Sequence, residues 1–535
     1  MKTESNKCVI LQPETQKVGK WPWGFCNRLK MKPIKTFIFI LSIMLLLVAG
    51  WFFFPAEGIS VGDFTLRFPS FADDSDENKA EEMDVDAVID NVKKSYEMTY
   101  SETVYDSLLF FRDYLTGNPN RIYLPNDDYT FFDTLFAQFE QAKTEGKVYR
   151  VMHYGDSQIE MDRISSVLRQ KLQELFGGSG PNMVPAIQPV ATISVVQHAS
   201  GLHRYMVYGE AARASHNRYG VMLQFGQVAG AGSVSFSQTS HSQAFAKAKE
   251  ISTVSVLLGK NSQGFTATLK CDTILAEPKV LEANDGVSLV TWRLPVKVKK
   301  GNIGFKGSAE IYAVLLDGEP GVAVDNVALR GCSGNIFTRL NETTMHQSFD
   351  LLGTRLVILQ FGGNRMPGIA GSKNIESYMK ELEDHIDYLK KVAPQCTFLF
   401  IGPADMGKSY NGKMGTWKGL PELNDSLRAM ALRNDVAYWD MFNVMGGEGS
   451  MAQWVKHNPP MAGPDYIHFT FRGAQEIGSS LAKSLSTYYD FYCLRRRVPS
   501  QEVIDFINGD ETENARKMPY TRMMPSYNPF KTNEK

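Results

Sequence analysis

Residues 148–157 read VYRVMHYGDS. The run 148–153 is short, mostly apolar and of strand length, and the glycine and aspartate that follow end it in a turn. Downstream, residues 162–176 place Ile164, Val167, Leu168, Leu172 and Leu175 on one helical face, with Asp162 as a candidate cap. A strand, a serine-bearing turn and a helix form the opening unit of an α/β sheet. Ser157 therefore stands beyond the carboxyl end of a strand, where open parallel sheets bind ligands. Gly155 permits the tight turn, and the helix start offers backbone N–H groups toward developing negative charge. Taken alone, Gly155-Asp156-Ser157 is a common turn tripeptide.

The same alternation resumes far downstream. Strand-like runs at 355–361, 397–401 and 436–441 alternate with helical patterns at 374–391, 424–433 and 472–486. This succession predicts a parallel sheet with helices on both faces, a three-layer α/β domain. Between its parts, residues 191–316 are rich in Ser, Val, Gly and Thr, with alternating runs such as SVSFSQ, TVSVLL and FTATLK. A β-sandwich is expected there, inserted so that it splits the α/β domain into 146–190 and 317–490. Ahead of the domain, residues 55–145 hold a charged linker (DDSDENKAEE, 73–82) and a helical lead-in in which Val104, Leu108, Phe111 and Leu115 share one face. Residues 491–535 are expected to be a C-terminal tail, polar beyond about residue 509.

Residues 36–54, TFIFILSIMLLLVAGWFFF, are uncharged and long enough to cross a bilayer as a helix. Arg28, Lys30, Lys32 and Lys35 precede them, whereas Asp73, Asp74, Asp76 and Glu77 follow. The positive-inside bias makes residues 1–35 a cytoplasmic tail and puts the body in the periplasm of a bacterial cell, on a single-pass anchor in the cytoplasmic membrane. Bulky residues at 51–54 stand where a signal-peptide cleavage site would need small ones, so the segment reads as an uncleaved signal anchor.

A chain of 535 residues, 43% hydrophobic and 21% charged, has the composition of a globular protein of two or three domains. Its net charge of −1 gives no electrostatic reason to expect nucleic acid as a partner. The six cysteines form no CxxC or Cys/His cluster, so neither a structural zinc nor any other metal or organic cofactor is expected. The basic run at 495–497 reads as a solvated patch.

Three further motifs give the serine turn its meaning. Arg330-Gly331-Cys332-Ser333-Gly334 and Gly362-Gly363-Asn364 each follow a strand-like run, and Asp465-Tyr466-Ile467-His468 precedes the last long helix. Separately each is weak, since loop glycines and lone histidines are commonly structural. Together, the order Ser, Gly, Asn, Asp-x-x-His resembles the SGNH/GDSL hydrolase superfamily over residues 148–176 and 322–486. The resemblance implies Ser157 as nucleophile, His468 as its base and Asp465 as the group that orients His468. It implies an oxyanion hole from the Ser157 and Gly331 N–H groups and the Asn364 amide. Two positions depart from the pattern. Gln158 stands where the family has Leu, and Arg365 stands where an aspartate is common, which makes Arg365 a candidate for binding an anionic part of the substrate. No Gly-x-Ser-x-Gly elbow is present, against an ordinary α/β-hydrolase.

The anchor and the inserted β block make the chain similar to envelope polysaccharide and peptidoglycan O-acetylesterases. The implied substrate is an O-acylated glycan bearing a small acyl group. An envelope O-acetyltransferase using the same triad, with a membrane acyltransferase as partner, is one alternative. A non-catalytic glycan-binding protein is another.

Overall fold

The computed structural model describes residues 104–497 and 500–509, with 41–42, 45, 59–61, 64–66 and 86 before them. The chain divides into two units, residues 1–82 and 83–535. In the first, Ile59–Val61 pairs antiparallel with Phe64–Leu66. The expected membrane segment 36–54 lies outside the described residues apart from 41, 42 and 45, as does the linker 73–82. Among the described residues no helix is long and apolar enough to cross a membrane.

The second unit opens with helix α1 (Val104–Gly117), strand β1 (Ile122–Tyr123) and helix α2 (Asp133–Thr144). Strand β2 (Val148–Gly155) and helix α3 (Ser165–Phe176) follow. Nine strands come next: β3 (Asn182–Pro185), β4 (Val195–Met206), β5 (Gln224–Gln238), β6 (Ile251–Asn261), β7 (Phe265–Cys271), the short Ile274–Leu275 and Lys279–Leu281, β8 (Ser288–Val298) and β9 (Lys300–Asp317). The α/β alternation then returns with β10 (Gly321–Ala328), α4 (Glu342–Leu352), β11 (Thr354–Gln360), α5 (Ser372–Val392) and β12 (Thr397–Ile401). It ends with α6 (Leu420–Arg433), β13 (Ala437–Trp439), α7 (Phe471–Arg495) and α8 (Ser500–Ile507).

Six strands form the central sheet in the order β10-β2-β11-β12-β13-β1. The period of two along each strand divides its side chains between two cores. Val151, Leu356, Ile358, Leu399 and Ile401 meet α1, α2, α3, α7 and α8 on one face. Met152, Tyr154, Val357, Leu359, Phe398 and Phe400 meet α4, α5 and α6 on the other. The layers are those of a three-layer α/β domain, but the sheet is mixed: β1 joins the edge antiparallel to β13. A two-residue strand carries no periodicity, which is why the lead-in read as purely helical. The lead-in is part of the domain. Leu108, Phe111, Leu135 and Phe136 are buried in the first core. The expected tail also contributes, because α8 buries Val503, Phe506 and Ile507 in that core. Beyond residue 509 the tail lies outside the described residues.

The inserted block begins at Asn182, earlier than expected, and is one antiparallel sheet folded over its own core rather than two separate sheets. The cause is β9, 18 residues long. Its first part pairs with β5 and β7, and its last part with β6 and β3. The handover falls at Gly307, whose φ of +113° only glycine adopts readily, and at a register shift between Ala309 and Ile311. The block also shares the second core of the α/β domain through Met183, Phe225, Leu257, Tyr312 and Leu315. Its two ends are pinned by a buried cation. Arg150 on β2 reaches Asp325 on β10 at 2.9 and 3.1 Å and also pairs with Asp317 at the end of β9. Asn182 ties the same seam, donating to Asp317 at 3.0 Å and accepting from the Val324 amide at 3.1 Å. Cys271, Cys332, Cys396 and Cys493 carry free thiols.

Candidate active site

The turn after β2 is held by Asp156. One carboxylate oxygen accepts from the Gln158 amide at 2.9 Å and the other from Asn364 Nδ2 at 2.8 Å. Gly155 is required by closeness: a Cβ there would sit 2.9 Å from Ile159 Cδ1 and 3.2 Å from the Gln360 carbonyl. Burial raises the Asp156 carboxyl to about 6 against the opposing pull of those hydrogen bonds.

The loop before α7 supplies the partners of Ser157. Asp465 Oδ1 accepts from the Ile467 and His468 amides, each at 3.0 Å, which closes the loop into a tight turn. Its Oδ2 lies 2.7 Å from His468 Nδ1, and His468 Nε2 lies 2.8 Å from Ser157 Oγ. Because a carboxylate only accepts, Nδ1 carries the ring proton and Nε2 is left to accept from the serine hydroxyl. Partial burial pushes the Asp465 carboxyl up, but the His468 side chain and the two amides outweigh it and hold Asp465 below the usual carboxylate range. The His468 and Asp465 side chains remain 40% and 49% exposed, so water reaches the site.

Two residues clamp the turn to the histidine loop. Gln158 Nε2 donates to the Ile467 carbonyl at 2.6 Å. Arg163 donates to the Phe469 carbonyl at 2.8 Å and to the Ser157 carbonyl at 3.1 Å. Gln158 fills a position where a leucine would lack this bond.

Gly331 follows β10 with a φ of +76°, so a side chain there is strained. Its carbonyl accepts from Tyr208 Oη of the inserted block at 2.7 Å. The neighbouring Arg330 forms a two-pronged pair with Glu160 of the serine turn, at 2.9 and 2.7 Å. Asn364 Nδ2 donates to Asp156 and, at 3.1 Å, to the Cys332 carbonyl, so both of its amide protons are engaged. For Asn364 to serve an oxyanion, the longer bond to Cys332 must be exchanged. Ser157, His468, Gly331 and Asn364 all line one cleft of about 620 Å³, with Gln360, Met441 and Trp417 among its other walls. Arg365 is not part of it. The turn Gly363–Gly368 carries its side chain away, over the Tyr378 ring at 5.3 Å and toward Glu381 at 3.8 Å, so the expectation that it meets substrate does not fit. Among the described residues no group of three or more His, Cys, Asp or Glu side chains is placed to hold a metal ion.

Sequence reasoning missed Arg163, Tyr208 and Gln360, and gave Gln158 no role. Only the departure of Gln158 from the family pattern was a visible signal.

This geometry, at the carboxyl end of a three-layer α/β sheet, defines a class of protein. Residues 299–476 match the GDSL-like lipase/acylhydrolase family, and the resemblance to SGNH/GDSL hydrolases holds. The matched stretch contains Gly331, Asn364, Asp465 and His468; Ser157 precedes it and is brought to them by the fold. Among solved structures, the chain is similar to a peptidoglycan O-acetylesterase at 19% identity, over 68% of this chain and 96% of that one, with a TM-score of 0.52. It also matches a family two carbohydrate esterase from Cellvibrio japonicus at 11% identity, over 56% of this chain and 99% of that one, with a TM-score of 0.24. No curated protein matches in sequence.

Proposed function

We propose that the protein is a serine esterase that removes a small acyl group, acetyl in the first instance, from an envelope polysaccharide or peptidoglycan, held at the outer side of the cytoplasmic membrane by residues 36–54. The observation that carries the esterase reading is the unbroken line Asp465–His468–Ser157 at 2.7 and 2.8 Å inside a cleft. Ser157 Oγ attacks the acyl carbon while His468 Nε2 takes its proton, and Asp465 stabilises the imidazolium. The carbonyl oxygen becomes an oxyanion near the Ser157 and Gly331 N–H groups and the Asn364 amide. Collapse breaks the ester C–O bond, and His468 returns the proton to the leaving alcohol oxygen. Water, deprotonated by His468, then attacks the acyl-serine; collapse releases the carboxylic acid and restores Ser157.

The cleft of about 620 Å³ is large enough for a sugar that bears a small acyl group. The likeness to a peptidoglycan O-acetylesterase points to an acetylated glycan. The exposure of His468 favours hydrolysis over transfer to a second acceptor, a reaction that needs water kept out. The test is acetate release from 4-nitrophenyl acetate and from O-acetylated peptidoglycan by wild type and Ser157→Ala, with fluorophosphonate labelling. Release and labelling that vanish together in the variant support the reading. A wild-type protein that neither labels nor releases acetate overturns it.

A further inference from the structure

Beneath the serine turn runs a buried polar chain that the acyl-transfer steps do not use. Asn326 Nδ2 donates to the Ile159 carbonyl at 2.9 Å and to Ser165 Oγ at 2.8 Å. Ser165 Oγ lies 2.9 Å from His153 Nδ1. Because Gln360 Oε1 can only accept, His153 Nε2 carries the ring proton and donates to it at 3.0 Å, and Nδ1 is left to accept from the Ser165 hydroxyl. Burial lowers His153 to about 4, which keeps the ring neutral and the chain running in this one direction.

With its oxygen taken, Gln360 presents its NH2 group away from His153. The residue is 3% exposed and lies at the end of β11, opposite Gly155 and among the walls of the cleft. Among the described residues the one partner of Nε2 is the Met441 thioether sulfur at 4.0 Å, itself on a cleft-wall residue and a weak acceptor. A buried amide donor served so poorly is the exception in folded proteins.

We propose that Gln360 is a substrate-binding residue whose amide donates to an oxygen on the alcohol side of the ester, a hydroxyl, ring oxygen or amide carbonyl of the glycan. This rests on the glycan-esterase reading. A small acyl group has a single carbonyl oxygen, already met by the oxyanion donors, so an acceptor for a further donor has to come from the sugar.

The experiment compares kcat/KM on O-acetylated peptidoglycan with kcat/KM on 4-nitrophenyl acetate, whose leaving group has no sugar oxygens. In Gln360→Met and Gln360→Glu the ratio of the two falls by about tenfold or more, chiefly through KM on the glycan. Gln360→Glu keeps an acceptor for His153 and exchanges the amide donor for a carboxyl of the same shape, so it carries the test if Gln360→Met does not fold. Its activity on the glycan recovers more than that on 4-nitrophenyl acetate as the pH is lowered and the carboxyl gains a proton to donate, whereas a purely structural role moves both substrates together. An unchanged ratio in a folded variant overturns the role of Gln360 and leaves the esterase standing. A wild type that cleaves 4-nitrophenyl acetate but not the glycan overturns the glycan reading, and this inference with it.

Discussion

Ser157 Oγ and His468 Nε2 meet at 2.8 Å across 311 residues of sequence. Asp465 completes the line from only three residues before His468, and its side chain is half exposed. Asp465→Asn offers an amide where the imidazole N–H needs an acceptor, and solvent replaces the carboxylate only in part. A loss of about 10²-fold or more in kcat is expected, with KM little changed, as measured by steady-state kinetics on 4-nitrophenyl acetate.

The clamp of Arg163 is a separate matter from the chemistry. Arg163→Met removes donors from the Ser157 and Phe469 carbonyls and loosens two loops at once. Denaturant unfolding should show a loss of about 1–3 kcal/mol, and fluorophosphonate labelling of Ser157 should slow. An unchanged midpoint and labelling rate count against the clamp.

Asp156 sets two opposite pH dependences. Its carboxyl is raised from an ordinary 3.8 to about 6, so the folded chain holds this proton more tightly than the unfolded one. Its contribution to stability is complete below the unfolded value and is lost as pH rises through about 6. Activity runs the other way, because the carboxylate accepts from Asn364 and the protonated acid loses that role. The activity limb below pH 6 should therefore change shape in Asp156→Asn, and the dependence of the unfolding midpoint between about pH 4 and 6 should flatten.

Tyr208 gives the inserted block a direct hold on the Gly331 loop. Tyr208→Phe keeps the ring and removes one hydrogen bond, so kcat should fall by roughly threefold to tenfold without a change in thermal midpoint. An equal loss on removing the hydroxyl of Tyr410, which bonds the Lys418 amide elsewhere, would count against that specific role.

Helix α8 belongs to the fold. Phe506 is fully buried, edge-on to Tyr105 at 5.8 Å and beneath the Arg112 guanidinium at 5.1 Å. Phe506→Ala should cost about 3–5 kcal/mol in denaturant unfolding.

Much of the framework was legible because strand ends and helix entries leave local marks. Gly155, Gly331 and Gly362 each close a strand in a turn, and the fold sets Asn364 and His468 in the same cleft as Ser157. What escaped notice depends on contacts between distant parts of the chain. The bond from Gln158 to Ile467 spans 309 residues and that from Tyr208 to Gly331 spans 123. Strand β1 is two residues long. Arg365 was misplaced because sequence adjacency to Asn364 says nothing about which way a tight turn sends the next side chain.

Arg150 has a consequence for how the protein comes into being. It sits on β2, and the carboxylates that neutralise it, Asp317 and Asp325, are 167 and 175 residues later. During synthesis the central sheet cannot zip from β2 to β10 until the whole intervening block has emerged and collapsed. A truncation anywhere between these strands therefore leaves the Arg150 guanidinium without either carboxylate, and pairing of β2 with β10 should wait for the inserted block.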